Sequence, residues 1–188
     1  MSVPVTGGAL RRRPHPIGFA ISALLALGAC TPTFNWRELR PEGTPLQALM
    51  PCKPESAARA VSFDGAAPVE LHMHSCDTGG LTFAVAWADM GDAVRAPAAL
   101  DGWRRASLGA VRVDPDQADD PATRWNATVR GAPAATGLTA QGRDHSDQPV
   151  QMRAVHFSSG SQVYQAAVYG PALAEEVTAA FFDGLRLP

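Results

Sequence analysis

The chain has 188 residues, 46% of them hydrophobic, and is long enough for one folded domain with its own core. Its 16 basic and 18 acidic residues give a net charge of −2, which falls to about −5 if residues 1–29, with their three arginines, are removed. No basic cluster follows Arg13, and this argues against nucleic acid as a partner and against a second, electrostatic contact with a membrane.

The first 29 residues have the order of a secretory signal. Arg11–Arg13 form a basic stretch, no acidic residue precedes Cys30, and an apolar run of 13 residues covers Ile17–Ala29. As a helix the run would span about 20 Å, short of the ~30 Å hydrocarbon core of a bilayer. We therefore expect a cleaved signal rather than an uncleaved transmembrane anchor.

The end of this signal, Leu27-Gly28-Ala29-Cys30, resembles the bacterial lipobox. The resemblance implies cleavage after Ala29 and a thiol at Cys30 that carries lipid and holds the protein stably at the membrane, facing the periplasm. The alternative is an ordinary signal that ends in a free cysteine. Thr31 is not the aspartate that retains enteric lipoproteins in the inner membrane, so the resemblance favours the outer membrane. Residues 30–33 would then be a lipidated N-terminus and short tether, and residues 34–188 a single domain.

Two cysteines remain once Cys30 is assigned to lipid. In an oxidising compartment the simplest expectation is a disulfide between Cys52 and Cys76. It would close a loop of about 25 residues and stabilise the domain by roughly 3 kcal/mol.

The first half of the domain reads as short strands separated by turns. Alternating aromatic residues predict a short strand over Phe34–Arg40, and an apolar stretch follows at Pro45–Met50. Three further apolar runs, punctuated by Asp-Gly and Gly-Gly turns, predict an antiparallel meander. These runs are Arg59–Phe63, Val69–Cys76 and Leu81–Trp87.

The second half mixes helices and strands. Apolar spacing and Pro97 predict a helix over Ala96–Ala110, followed by an acidic loop over residues 112–124 and a weakly patterned stretch with one strand. Val150–Phe157 and Gln162–Val168 flank a Ser/Gly turn and predict a hairpin. A last helix is expected from Pro171 to Gly184, with Leu173, Val177, Ala180 and Phe181 in one apolar stripe.

This order predicts an α+β fold, an antiparallel β-sheet packed with about two helices. Three segments resemble the PsbP-like family of small α/β proteins, and the resemblance implies a fold but no catalytic residues. The segments are Leu46–Pro54, the hairpin through Tyr164, and Phe181–Leu187.

His72 and His74 have the spacing of a pair of metal ligands. On a strand they would share a face with Cys76, as zinc or copper ligands can. A disulfide would remove Cys76 from such a site, and the histidines would then be the wetter face of a strand whose core face is Val69, Leu71 and Met73. His145 and His156 could contribute only if the fold brings them near.

Other chemical patterns fail on spacing. Counting from Asp114, an EF-hand needs glycine and glutamate where the chain has Asp119 and Trp125, so a solvated acidic loop is expected. His145-Ser146-Asp147 has the residue types of a hydrolase triad, but neighbours on one short loop cannot align as a triad, and no serine has the glycine-flanked setting of a nucleophile elbow.

Four tryptophans divide into two groups. Trp87 and Trp103 fit core positions. Trp36 and Trp125 are less determined: core packing is the first expectation for them as well, and a binding surface is the alternative. The sequence thus predicts a non-catalytic envelope lipoprotein without cofactors, an interaction or assembly module with an envelope protein as its partner. The alternative is a small-ligand- or metal-binding lipoprotein that uses the His72/His74 strand face, and an enzyme of unrecognised type stands behind it.

Overall fold

A computed structural model describes residues 1–2, 4, 33–63, 65 and 67–188. Residues 33–188 form one compact unit. The predicted signal and Cys30 lie outside the described residues. Among the helices of the described part, none combines the length and the apolar character needed to cross a membrane.

The described residues form nine β-strands and two α-helices, joined by short 3₁₀ turns. The strands are β1 (Arg37–Leu39), β2 (Ala48–Met50), β3 (Glu55–Val61), β4 (Val69–Thr78), β5 (Leu81–Asp89), β6 (Arg124–Trp125), β7 (Ala135–Arg143), β8 (Pro149–Ser159) and β9 (Gln162–Gly170). The helices are α1 (Ala96–Ala110) and α2 (Glu175–Asp183). The predicted α+β class, an antiparallel sheet packed with two helices, is confirmed.

Seven strands form one antiparallel sheet in the order β3-β4-β5-β9-β8-β7-β6, and β1 and β2 form a separate two-stranded sheet. The central strands β5, β8 and β9 carry apolar side chains on both faces, as expected for strands covered on both sides. The hairpin predicted around the Ser158–Ser161 turn joins β8 to β9.

One face of the large sheet, here called the α2 face, packs against α2 and the two-stranded sheet. Phe83, Val85 and Tyr164 of the sheet are buried there against Phe181 of α2 and Met50 of β2. The opposite face, the α1 face, packs against α1. Because both faces are covered, the core consists of two layers of side chains, one on each side of the sheet.

Helix α1 covers its face with Ala99, Trp103 and Leu108, which are four and five positions apart and all buried. Pro97 occupies the first turn, where its missing N–H costs no hydrogen bond. Phe63, in the link between β3 and β4, lies directly over the helix, and its ring stacks on Trp103 with centroids 4.6 Å apart. The helix predicted over Ala96–Ala110 has these bounds in the structure.

The C-terminal helix differs from the prediction at its start and on one side. It begins at Glu175 rather than Pro171, after Ala174 as its cap. Ala180, predicted in the apolar stripe, is exposed, and Thr178 is buried instead. The Thr178 hydroxyl donates to the backbone carbonyl of Ala174, so a polar side chain is accommodated in the core.

Cys52 and Cys76 are joined by a disulfide, with Cα atoms 6.0 Å apart. Cys76 lies on β4 and is buried in the core of the α2 face, and Cys52 lies two residues after the end of β2. The bond therefore ties the small sheet to the large one, at the start of the segment that leads into β3.

Candidate interaction surface

The two edges of the seven-stranded sheet are unequal. At one edge β6 is only two residues long, and next to it Arg143 of β7 donates its backbone N–H to the carbonyl of Val111 over 2.9 Å. At the other edge β3 has seven residues, of which Glu55 to Ala60 are all exposed. The long edge of the sheet is thus open to solvent along nearly its whole length.

β3 is a strand because β4 pairs with it, and not because it buries a face. The pairing is antiparallel and in register, with Ser56 opposite His74 and Ala58 opposite His72. The exposed side chains are mostly alanine and serine. Small side chains leave the backbone N–H and C=O groups of an edge accessible to another strand.

On the α2 face beside this edge, two imidazoles lie flat on a tryptophan. The rings of His72 and His74 stack on the buried indole of Trp87, with centroids 4.9 and 5.5 Å away and interplanar angles of 17° and 10°. Together with Ser56 and Ala58 they line an open concavity of about 230 Å³.

Each of these histidines has a nearby hydrogen-bonding or charged group. His72 Nε2 is 3.1 Å from Oε1 of Glu70, and His74 Nδ1 is 2.9 Å from the Ser56 hydroxyl. Partial burial lowers the pKa of the His74 imidazole, and the neighbouring His72 lowers it further. Around neutral pH His74 is therefore held in its neutral form.

On the α1 face the same edge carries Glu55, Ala57 and Arg59, which lie beside Ser75, Met73 and Leu71. Within the part of the chain that the structure describes, Glu55 and Arg59 form no ion pair and no side-chain hydrogen bond. The edge therefore presents two opposite charges, four residues apart, that are free to meet a partner.

The metal alternative lacks ligands in the described region. Cys76, which shares a face with the histidines, is consumed by the disulfide. His156 lies on the opposite face of the sheet and His145 is exposed in the β7–β8 turn. Across the residues described here, no three His, Cys, Asp or Glu side chains are grouped so as to hold a metal ion.

The acidic loop and the His145-Ser146-Asp147 stretch have structural partners instead. Asp114 and Asp120 each accept a backbone N–H at the start of a 3₁₀ turn. Asp116 is paired with Arg105 over 2.6 Å. Asp147 is paired with Arg112 over 2.9 Å, so its carboxylate is directed to an arginine rather than to His145.

A further concavity is an open cleft of about 510 Å³ at the β4–β5 turn end of the sheet. Tyr169, Thr82 and His145 line it together with apolar side chains. Burial raises the pKa of Tyr169 to about 12, so its phenol stays protonated. Asp144, also at the cleft, is occupied by two backbone N–H groups of its own turn.

The tryptophans differ in their exposure, and the core positions predicted for Trp87 and Trp103 are found in the structure. Trp87 and Trp103 are each 5% exposed and belong to the core. Trp36 is half-buried and meets Phe83 edge-on at 6.4 Å. Trp125 is also half-buried, and the Arg153 guanidinium lies 4.1 Å above its ring.

Sequence reasoning missed Glu55 and Ala57, because it began the strand at Arg59. The signal that would have found them is the run of small residues between the Pro51–Pro54 segment and the turn at Gly65. An exposed edge strand has no buried face, so it produces no apolar alternation.

Comparisons with known proteins matched no family model, no curated protein and no solved structure. The resemblances to the lipobox and to the PsbP-like family therefore stay predictions. Inferences about function therefore rest on the geometry of the described residues.

Proposed function

We propose that this chain is a cell-envelope lipoprotein, anchored by lipid on Cys30 and facing the periplasm, whose domain is a non-catalytic interaction module. The contact surface is the β3 edge, defined by Glu55–Val61. The observation that carries the proposal is the exposure of this seven-residue strand at one end of a large antiparallel sheet.

An exposed sheet edge binds other chains by strand addition. Its unpaired N–H and C=O groups form a ladder with an extended segment of the partner, and the flanking side chains select that segment. Many proteins protect such edges with short strands, prolines or bulges. Here β3 is long and regular and its exposed side chains are small, so its backbone is accessible.

The point at which the chain enters the domain supports a β3 edge that is held close to a membrane. Thr33 accepts a hydrogen bond from the Thr78 hydroxyl through its carbonyl oxygen, which places the start of the described domain at the β4–β5 turn. Three residues of tether from Cys30 reach at most about 11 Å. A lipid on Cys30 would thus keep the β3 edge near the bilayer and within reach of other envelope proteins.

The concavity lined by Ser56, His72, His74 and Trp87 supports a second candidate, a small-ligand-binding lipoprotein. A flat ligand could extend the stack of imidazoles on the indole. Titration calorimetry with free imidazole as the probe would show uptake by the protein and loss of uptake in His72→Ala/His74→Ala, whereas strand addition requires neither histidine.

The test of the proposed function is site-specific photo-crosslinking of the full chain in its own membranes. A photo-reactive residue placed at Ala58, on β3, is expected to give adducts with another protein chain. The matched control is Ala106, an exposed alanine on α1. Equal adducts at both positions, or none at Ala58, would overturn the proposal for the edge.

The anchor is tested separately with Cys30→Ser. This variant is expected to lose acylation and to accumulate as an unprocessed precursor. If it is processed and still sediments with membranes, the anchor lies elsewhere, and the photo-crosslinking result at Ala58 is unaffected by that outcome.

A further inference from the structure

We infer that the occupant of the β3 edge is a second copy of this chain, paired antiparallel with β3 about a twofold axis that passes midway between the two copies of Ala57. This inference rests on the proposed role of β3 as a contact edge and names its partner. It follows from the sequence of the strand, from its register on β4 and from the two free charges.

The pleat of a strand restricts how two identical edges can pair. Directly opposed residues in an antiparallel pair point to the same face of the sheet. Glu55, Ala57 and Arg59 point to the α1 face, whereas Ser56, Ala58 and Ala60 point to the α2 face. A symmetric pair must therefore be centred on a residue and not between two residues.

Centring the pair on Ala57 places Glu55 of each copy opposite Arg59 of the other. Two cross-strand ion pairs form, one on each side of the axis, and both use side chains that have no partner within the described part of one copy. Opposite charges directly across a strand pair stabilise it.

The neighbouring registers lose these pairs. Centring on Ser56 would place Arg59 opposite Lys53 of the second copy, and like charges directly opposed are destabilising. Centring on Ala58 would place Glu55 opposite the apolar Val61. Charge thus selects the pairing about Ala57 among the three central registers.

The same symmetry is compatible with two lipid anchors. In an edge-to-edge pair the twofold axis is perpendicular to the sheet. The two β4–β5 turns therefore lie at opposite ends of the joined sheet, and both copies present the same face on the same side. Thr78 is five residues from Met73, the partner of Ala57, so the two turns lie about 33 Å apart at 3.3 Å per residue. Both tethers can enter one bilayer when the sheet lies along it.

The register is tested by disulfide trapping of the full chain in membranes. Ala57→Cys places the new thiol opposite its own copy, with Cα atoms about 4.5–5.5 Å apart, within the range a disulfide requires. A covalent dimer is expected on non-reducing gels. Ala60→Cys is the matched control on the same strand, because its two copies would be about 20 Å apart, and it should give at least tenfold less dimer.

Charge reversal in the Ala57→Cys background tests the ion pairs. Glu55→Arg and Arg59→Glu each oppose like charges twice across the axis and should lower the dimer yield about tenfold. The double variant Glu55→Arg/Arg59→Glu restores opposite charges and should restore the yield. An unfolded variant cannot produce this rescue, so the result separates pairing from stability.

Equal trapping at Ala57 and Ala60, or no trapping at either, overturns self-pairing. If trapping fails while the photo-reactive residue at Ala58 gives an adduct with a different protein, the contact edge stands and its occupant is not a second copy. If both experiments fail, the proposed function fails together with the inference.

Discussion

His156 is a fully buried titratable residue beneath α1. Its Nε2 atom lies 2.9 Å from the Gln165 amide nitrogen and 3.2 Å from the Ser107 hydroxyl, while Ser107 donates to the carbonyl of Trp103. The amide nitrogen can only donate, so Nε2 is the acceptor and the proton is assigned to Nδ1. Burial lowers the pKa of His156 to about 3, with a further contribution from the charge of Arg104.

This site predicts a pH dependence of stability. In the unfolded chain His156 binds a proton below about pH 6.5, but in the folded protein only near pH 3. Between these values the unfolded state binds more protons than the folded state. The free energy of unfolding therefore has its full value above pH 6.5 and decreases as the pH falls from 6.5 towards 3. The slope approaches 1.4 kcal/mol per pH unit at its steepest. Urea denaturation between pH 7 and 4.5 measures it.

His156→Phe should remove most of this slope, whereas His145→Gln, at an exposed histidine, should leave it unchanged. The window lies above the range in which Asp89 and Asp144 titrate, because hydrogen bonds lower the pKa of both carboxyls. A slope that persists in His156→Phe would show that the site titrates differently from what its burial implies.

For single residues, the sequence predicted the disulfide partners better than it predicted which side chains are buried. Cys52 and Cys76 follow from counting cysteines once Cys30 is set aside. His156 could not be assigned to the core in advance, because β8 is apolar on both faces and its alternation does not say which residues lie beneath α1. Glu55 and Arg59 acquire their role only from the order of the strands in the sheet.

Helix α1 contains two glycines with different surroundings. A Cβ on Gly102 would overlap the carbonyl oxygen of Phe63, the link residue that lies over the helix. A Cβ on Gly109 would meet only Pro115 Cγ, at 3.9 Å. The first glycine permits a close approach of backbone to helix, and the second does not serve that purpose.

The two glycines therefore predict substitutions of opposite sign. Gly102→Ala should lower the free energy of unfolding by about 1–3 kcal/mol, because the link and the Phe63–Trp103 stack must move. Gly109→Ala should raise it by up to about 1 kcal/mol through helix propensity. Chemical denaturation of both variants measures the difference. Equal stabilisation by both would mean that the link does not press on the helix.

Helix α2 is predicted to be part of the core and not a free partner-binding element. Phe181 is fully buried and packs edge-on against Phe83 at 5.3 Å. Phe181→Ala should cost about 3–5 kcal/mol. Ala180→Gly, at the exposed neighbour, should cost only about 1 kcal/mol from helix propensity. A melting temperature unchanged by Phe181→Ala would refute the core assignment.

Elements with at least one buried face were predicted well, and elements without one were not. Apolar spacing gave α1 its bounds, and apolar runs on either side of a turn signal gave the β8–β9 hairpin. β3 was placed four residues late because both of its faces are exposed. The start of α2 was placed early because Pro171 fits a first helical turn as well as the bend that it occupies.

At the scale of the whole molecule, the disulfide links the small sheet to the large one. α1 and α2 each cover one face of the central strands, whereas Glu55 to Ala60 of β3 are exposed. Cys76 belongs to β4, and Cys52 lies three residues before β3. The bond therefore anchors the beginning of the contact edge to the core of the α2 face.

Removing this bond should destabilise the whole protein and loosen the edge in particular. The double variant Cys52→Ala/Cys76→Ala is expected to lose about 3 kcal/mol of unfolding free energy, which lowers the melting temperature by about 10 °C for a chain of this size. Circular dichroism melts measure this loss. Hydrogen exchange should show that the exchange rate, relative to the native protein, increases more in β3 than in β8. A reducing agent should lower the melting temperature of the native protein by a similar amount and leave the double variant unchanged, because no other disulfide joins the described residues. If the reducing agent lowers both equally, the stabilisation does not come from Cys52–Cys76, and the register of β3 depends on its pairing with β4 alone.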